Sequence, residues 1–217
     1  MTQFGDIAER LDRVRTQIVD AGGTDVEVLA VTKGHGVEAI RAASAVGLAS
    51  IGENYAQELV SKVAGLTLDV AVHFIGQLQT NKVRQIVDIV DVYETVDRPA
   101  LISELAKRAP GAHVLIQVDT SGETVKGGCP PADAERLVEQ SVEAGLVVDG
   151  LMTVGPTEGG PEAARPGFRT VRTMCDELGL TTCSMGMTDD FVVAVQEGST
   201  RVRLGSALFG MRPARTA

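Results

Sequence analysis

Eight short apolar runs of strand character, each followed by a stretch of helical period, succeed one another along this chain. The runs fall at 26–31, 48–51, 71–75, 90–96, 113–118, 146–152, 181–184 and 200–204. One helix precedes them. It sets Ile7, Leu11, Val14 and Ile18 on one face at steps of four, three and four, and Gly22-Gly23 stops it. Between the runs, sets such as Val37/Ile40/Ala43, Leu101/Leu105/Ala109 and Phe168/Val171/Met174 keep helical spacing. Strands joined by helix-length crossovers pair in parallel. Eight such units predict an α/β fold, a single (β/α)8 TIM-type barrel with an extra N-terminal helix, spanning residues 1–217 as one domain. An open doubly wound sheet usually has fewer strands and often a glycine-rich fingerprint after the first. Here that turn reads Thr32-Lys33-Gly34-His35-Gly36, which is not GxGxxG.

Charge narrows the partners. Twenty Lys and Arg stand against 29 Asp and Glu, for a net charge of −9. Such a surface disfavours nucleic acid and anionic membrane, although a local basic pocket can still take a small anion. Aromatics are 3% with no Trp, so the core is aliphatic and single-strand stacking platforms are not expected. Cys129, Cys175 and Cys183 are odd in number and irregular in spacing, which predicts reduced thiols rather than disulfides or a zinc site. No run is long and apolar enough to span a bilayer, and residues 1–6 lack the parts of a signal peptide. A cytoplasmic protein is expected.

In such barrels chemistry sits at the C-terminal ends of the strands. The residues following each run are Lys33, then Glu53-Asn54-Tyr55, then Gly76 with Gln79 and Asn81, then Glu94-Thr95. After those come Asp119 and Ser121, Met152, Ser184 with Gly186 and Met187, and Arg203 with Gly205 and Ser206. Lys33 follows Leu29-Ala30-Val31 and is expected at the inner rim, partly desolvated. Desolvation lowers a lysine pKa and favours the free amine that bonding to an aldehyde requires. By position alone, a lysine that snorkels into solvent is the more ordinary outcome. The stretches 184–188 and 203–207 are small-residue turns that open helices, where backbone N–H groups approach an anion. Loops after strands seven and eight are the recurrent phosphate site of these barrels. Ordinary capping by Thr188 and Ser206 is the alternative.

Other polar residues carry weaker signals. His35 lies in the first loop as a candidate for function, whereas His73 and His113, inside strand runs, are expected as core histidines. Residues 122–128 hold a lysine without forming GxxxxGK. Asp189-Asp190 marks a helix start.

Several blocks together resemble the pyridoxal-phosphate homeostasis protein family. They are Ala30-Val31-Thr32-Lys33, Gly52-Glu53-Asn54-Tyr55-Ala56-Gln57-Glu58, and His73-Phe74-Ile75-Gly76-Gln77-Leu78-Gln79-Thr80-Asn81-Lys82. Gly150-Leu151-Met152-Thr153, Ser184-Met185-Gly186-Met187-Thr188-Asp189-Asp190 and Gly198-Ser199-Thr200-Arg201-Val202-Arg203-Leu204-Gly205 continue the match in the same order. The resemblance implies a single barrel related to the N-terminal domain of alanine racemase. It implies pyridoxal 5′-phosphate (PLP) held as a Schiff base, an internal aldimine, on Lys33. By the same resemblance Ser184, Gly205 and Ser206 hold the phosphate, Arg203 faces the pyridine nitrogen, Asn54 lies beside the cofactor and Met152 lines the pocket. The chain departs from the family at Gln77, at Asp119 and at Ser206, which keeps a hydroxyl where threonine is frequent. No role follows for the strand-five loop with Lys126.

The chemistry follows from Arg203. Arginine only donates hydrogen bonds and stays charged. At a pyridine nitrogen it disfavours protonation and weakens the ring as an electron sink. Racemisation also needs a second base, and no second domain to supply one is expected after the last barrel turn. The expectation is a PLP carrier in vitamin B6 homeostasis, a monomer without significant turnover, with apo PLP-dependent enzymes as partners. The alternative is a small PLP-dependent amino-acid racemase. A cofactor-free barrel enzyme for phosphorylated sugars explains the phosphate turns but not the lysine block.

Overall fold

The computed structural model describes residues 4–211. The expected one-domain span of 1–217 therefore reaches, at both ends, outside the described residues. Helix α1 (Ile7–Asp20) leads into β1 (Glu27–Val31), α2 (Val37–Ala45), β2 (Ser50–Glu53), α3 (Ala56–Val63) and β3 (Ala71–Phe74). Then come α4 (Thr80–Ile86), β4 (Val92–Val96), α5 (Pro99–Arg108), β5 (His113–Gln117), α6 (Pro131–Glu143) and β6 (Val147–Met152). The chain ends through α7 (Arg165–Glu177), β7 (Thr182–Ser184), α8 (Phe191–Gln196), β8 (Arg201–Leu204) and α9 (Ser206–Phe209). Short 3-10 turns occupy Thr124–Lys126 and Pro161–Ala164.

Each strand pairs in parallel with the next, and β8 returns to β1, so the ring closes in chain order. Leu29 registers with Arg203, Gly52 with His73, and Met152 with Ser184. Helices sheathe the outside and strand side chains fill the inside, so every residue of β2 is buried. Leu11, Leu29, Phe74, Tyr93 and Phe168 are fully buried. Each such side chain contributes roughly 1.5–3 kcal/mol of burial. Helix α1 buries the four predicted residues Ile7, Leu11, Val14 and Ile18. Its end folds back where Gly23 N–H donates to Ile18 O at 2.9 Å. It packs on α9 and α8, beside the seam between first and last strands.

Two strands start two residues later than their apolar runs. Leu48 N–H donates back to Ala43 O at 3.1 Å and finishes α2, so β2 begins at Ser50 rather than 48. Val90 N–H does the same to Ile86 O at 3.0 Å, and β4 begins at Val92. His73 is in the core as expected, but His113 is not. It opens β5 at the far end of the barrel, exposed, with Nδ1 2.9 Å from Asp149 Oδ2. The three cysteines are free thiols and buried, and burial lifts Cys129 to about 11. Among the described residues no helix is long and apolar enough to cross a membrane.

Candidate functional site

A cavity of about 440 Å³ opens at the C-terminal ends of the strands, within the roughly 300–1,000 Å³ usual for small-molecule sites. Lys33, Asn54, Met152, Arg203, Gly205 and Ser206 all line it. They come from the ends of β1, β2, β6 and β8, as the parallel crossovers dictate. Gly76, also on the wall, is forced by close approach: a Cβ there would lie 2.1 Å from Asn54 O.

Arg203 is 4% exposed and rigidly held. Its Nη1 donates to Ser184 Oγ at 2.9 Å and its Nη2 to Thr153 O at 2.7 Å. Burial pulls its pKa below the arginine range, and the nearby Glu94 and Asp190 carboxylates oppose that. Ser184, by contrast, does not line the cavity. It lies fully buried beneath Arg203 and donates its one proton to Glu94 Oε2 at 2.7 Å. Glu94 is held in turn by His73 Nδ1 at 2.7 Å and Arg201 Nη1 at 3.1 Å. Burial pushes the Glu94 pKa up, but the His73 hydrogen bond and the arginines outweigh it and hold the value at about 2. A polar column thus runs up the barrel axis from His73 to Arg203.

The last two loops meet at the mouth. Thr188 Oγ1 accepts from Ala207 N–H at 3.3 Å and sits 3.2 Å from Ser206 Oγ. Asp190 Oδ1 accepts from Met187 N–H at 2.6 Å and closes its own loop. Burial raises the Asp190 pKa against that hydrogen bond and Arg203. Of the other strand-end residues, Thr95 and Met187 line the cavity. Gln79 and Asn81 face solvent, and Asp119 accepts from Ser121 and Gly122 N–H within its own loop. His35 is packed between the rings of Phe4 and Phe209.

Residues to which the sequence assigned no part in the site also line the cavity: Gln77, Gln117, Val125 and Lys126. Val125 and Lys126 reach it because the strand-five loop folds back as a strap. Gln77 Nε2 donates to Val125 O at 2.9 Å, and Lys126 Nζ to Gly155 O at 2.5 Å. Glu123 binds the Thr157 N–H and hydroxyl, each at 2.7 Å. Those Thr157 hydrogen bonds hold the Glu123 pKa near 2, helped by Lys126. The only sequence signal was Gln117, the last residue of its strand.

The alanine racemase N-terminal domain family matches residues 4–213. The pyridoxal phosphate homeostasis protein of Aquifex aeolicus strain VF5 is 41% identical, covering 94% of this chain and 97% of that one. The protein of the same name from Schizosaccharomyces pombe is 38% identical over 94% of this chain and 92% of its own. Among solved structures, PipY of Synechococcus elongatus PCC7942, with PLP bound, superposes with a TM-score of 0.82 at 33% identity. That match covers 94% of this chain and 100% of PipY. The chain belongs to the pyridoxal phosphate homeostasis protein family, built on the alanine racemase N-terminal barrel.

Proposed function

We infer that this protein binds pyridoxal 5′-phosphate covalently through Lys33 and serves in its homeostasis rather than in turnover. One observation carries the inference: a lysine, a rigid buried arginine and a small-residue hydroxyl turn share the wall of one cavity. The donor set fits that group. Asn54 Oδ1 and Gln117 Oε1 are buried on cavity-lining residues with no hydrogen-bond partner among the described residues. Gly205 leaves room for a phosphate to approach backbone.

When bound, PLP supplies an aldehyde and an aromatic ring nitrogen. Lys33 would hold the group through that aldehyde carbon, the carbonyl oxygen being lost as water with two amine protons. Ser206, with the Gly205 and Ala207 backbone, holds the phosphate beside Thr188. Ser184 serves a different end from the one the resemblance implied: it accepts from Arg203 and so orients it. Arg203, a donor only, faces the ring nitrogen and keeps a proton from it. Met152 packs against the ring. A monomer in the cytoplasm that passes PLP to apo-enzymes completes the reading.

The test is a visible spectrum of protein mixed with PLP, before and after borohydride, followed by peptide mass mapping. A visible band that borohydride abolishes, with the pyridoxyl mass on the Lys33 peptide, is expected. A label on Lys82 or Lys126 instead defeats the assignment.

A further inference from the structure

Lys33 is flanked in the chain by two residues that are both tied to the neighbouring strand–helix unit. On one side, Thr32 Oγ1 donates to Glu53 Oε1 at 2.5 Å. On the other, Gly34 N–H donates to Glu58 Oε1 at 2.6 Å. Lys62, on the same helix as Glu58, joins the two anchors. Its Nζ donates to Thr32 O at 2.9 Å, to Glu53 Oε1 at 2.6 Å and to Glu58 Oε1 at 2.9 Å. The Lys62 side chain is 5% exposed, Glu53 fully buried and Glu58 28% exposed.

This cluster lies outside the cavity wall, since none of its three charged residues lines it. An ammonium has three protons, and all three are committed here. Lys62 is therefore saturated as a donor and does not compete with Lys33 for an aldehyde. Burial raises the Glu53 pKa, and Lys62 opposes that shift. Keeping such a group in the interior is costly unless it is paired, so its retention calls for a use. Gly34 has φ +75°, a conformation glycine adopts readily, and its N–H is fixed by Glu58. Bond formation between two groups gains most when their approach is fixed beforehand.

We propose that Glu53, Glu58 and Lys62 form an ionic clamp that positions Lys33 for bonding to the cofactor aldehyde. They are positioning residues, acting through the backbone on either side of Lys33. The proposal rests on the reading of Lys33 as the covalent residue. It also accounts for two features of the Gly52–Glu58 block: Glu53 is directed away from the mouth, and Glu58 turns back from α3 to reach the first loop.

The experiment uses the full chain and the partly exposed Glu58, whose loss leaves the buried Lys62–Glu53 pair in place. The variants are Glu58→Ala, which removes the acceptor for Gly34, and Glu58→Gln, which keeps a carbonyl there. Two quantities are measured: the rate at which the borohydride-sensitive visible band forms with PLP, and the affinity for pyridoxine 5′-phosphate. The second compound carries an alcohol instead of the aldehyde, so it makes no bond to Lys33. Glu58→Ala is expected to slow band formation about tenfold while leaving pyridoxine 5′-phosphate affinity within about twofold of the parent. Glu58→Gln is expected to recover most of the rate. An unchanged rate in Glu58→Ala overturns the clamp. So does an equal loss of rate and of pyridoxine 5′-phosphate affinity, which reports a general loosening. A parent protein that takes no label at Lys33 overturns the Lys33 reading and the clamp with it, whereas a labelled parent with an indifferent Glu58→Ala overturns the clamp alone.

Discussion

Ser206 stands exposed at the mouth, its hydroxyl 3.2 Å from that of Thr188. As a phosphate ligand it contributes one hydrogen bond to a charged group, roughly 1.5–3 kcal/mol. Ser206→Ala should therefore weaken PLP retention about ten- to a hundredfold with the thermal midpoint unchanged. Gly205→Val should be worse. A Cβ at Gly205 comes no nearer than 3.5 Å to Val31 O, an ordinary contact, so the fold accepts it while the phosphate loses its approach. Equilibrium dialysis alongside thermal denaturation checks both, and undiminished retention in both variants would exclude this turn. Six of the seven expected site residues reach the cavity because each lies at or just past the C-terminal end of a strand, where chain position nearly fixes spatial position. Ser184 does not, since its hydroxyl is taken up beneath Arg203, between that guanidinium and Glu94. Lys126 was illegible for the opposite reason. Its place depends on a strap folded over the mouth by Gln77, Gly155 and Thr157, none of them near it in sequence.

At the scale of elements, β3, β4, β7 and β8 are joined inside the barrel by Glu94. The Glu94 pKa is depressed to about 2. A depressed acid contributes stability that is fully present above its unfolded value, 4.5, and that is lost as pH falls through 2. Glu94→Gln should thus cost about 3 kcal/mol at neutral pH. That cost should fade between pH 4.5 and 2 as the parent becomes protonated. Denaturant titrations of both proteins at neutral pH and near pH 2 decide it, and a cost that ignores pH would remove Glu94 as the ionised keystone. The sequence placed Glu94 at the mouth with Thr95. Alternation along a strand normally tells inward from outward, but β4 carries a register irregularity against β5 between Tyr93 and Val96. That bulge breaks the count. The eight units themselves were legible because apolar period and crossover length speak together, whereas strand starts were lost wherever a helix end claimed the first apolar residue, as at Leu48 and Val90.

Across the whole molecule, the barrel presents one cavity wall to the ligand, and its fixed arginine sets the limit on chemistry. In the proposed placement Arg203 would oppose protonation of the ring nitrogen, and loss of an α-proton would gain little stabilisation. Alanine and other amino acids should displace the Lys33 bond and shift the spectrum, yet show no substantial racemisation, transamination or decarboxylation. Chiral chromatography over many hours at micromolar protein reads this out. Rapid multiple turnover abolished by Lys33→Ala would favour the racemase alternative.

Ring closure between β8 and β1 has a consequence for how the protein comes into being. Synthesis delivers Lys33 just after the first strand and the turn proposed to hold the phosphate just after the last. On the proposed reading, a nascent chain that has emerged through β6 would hold the amine without the turn that retains the phosphate. Contacts of such long sequence separation form late and slowly. Once the final strand docks, a cofactor anchored on both sides of the seam adds its binding energy to closure by mass action. On that reading the finished ring would be steadier with the cofactor bound than without it.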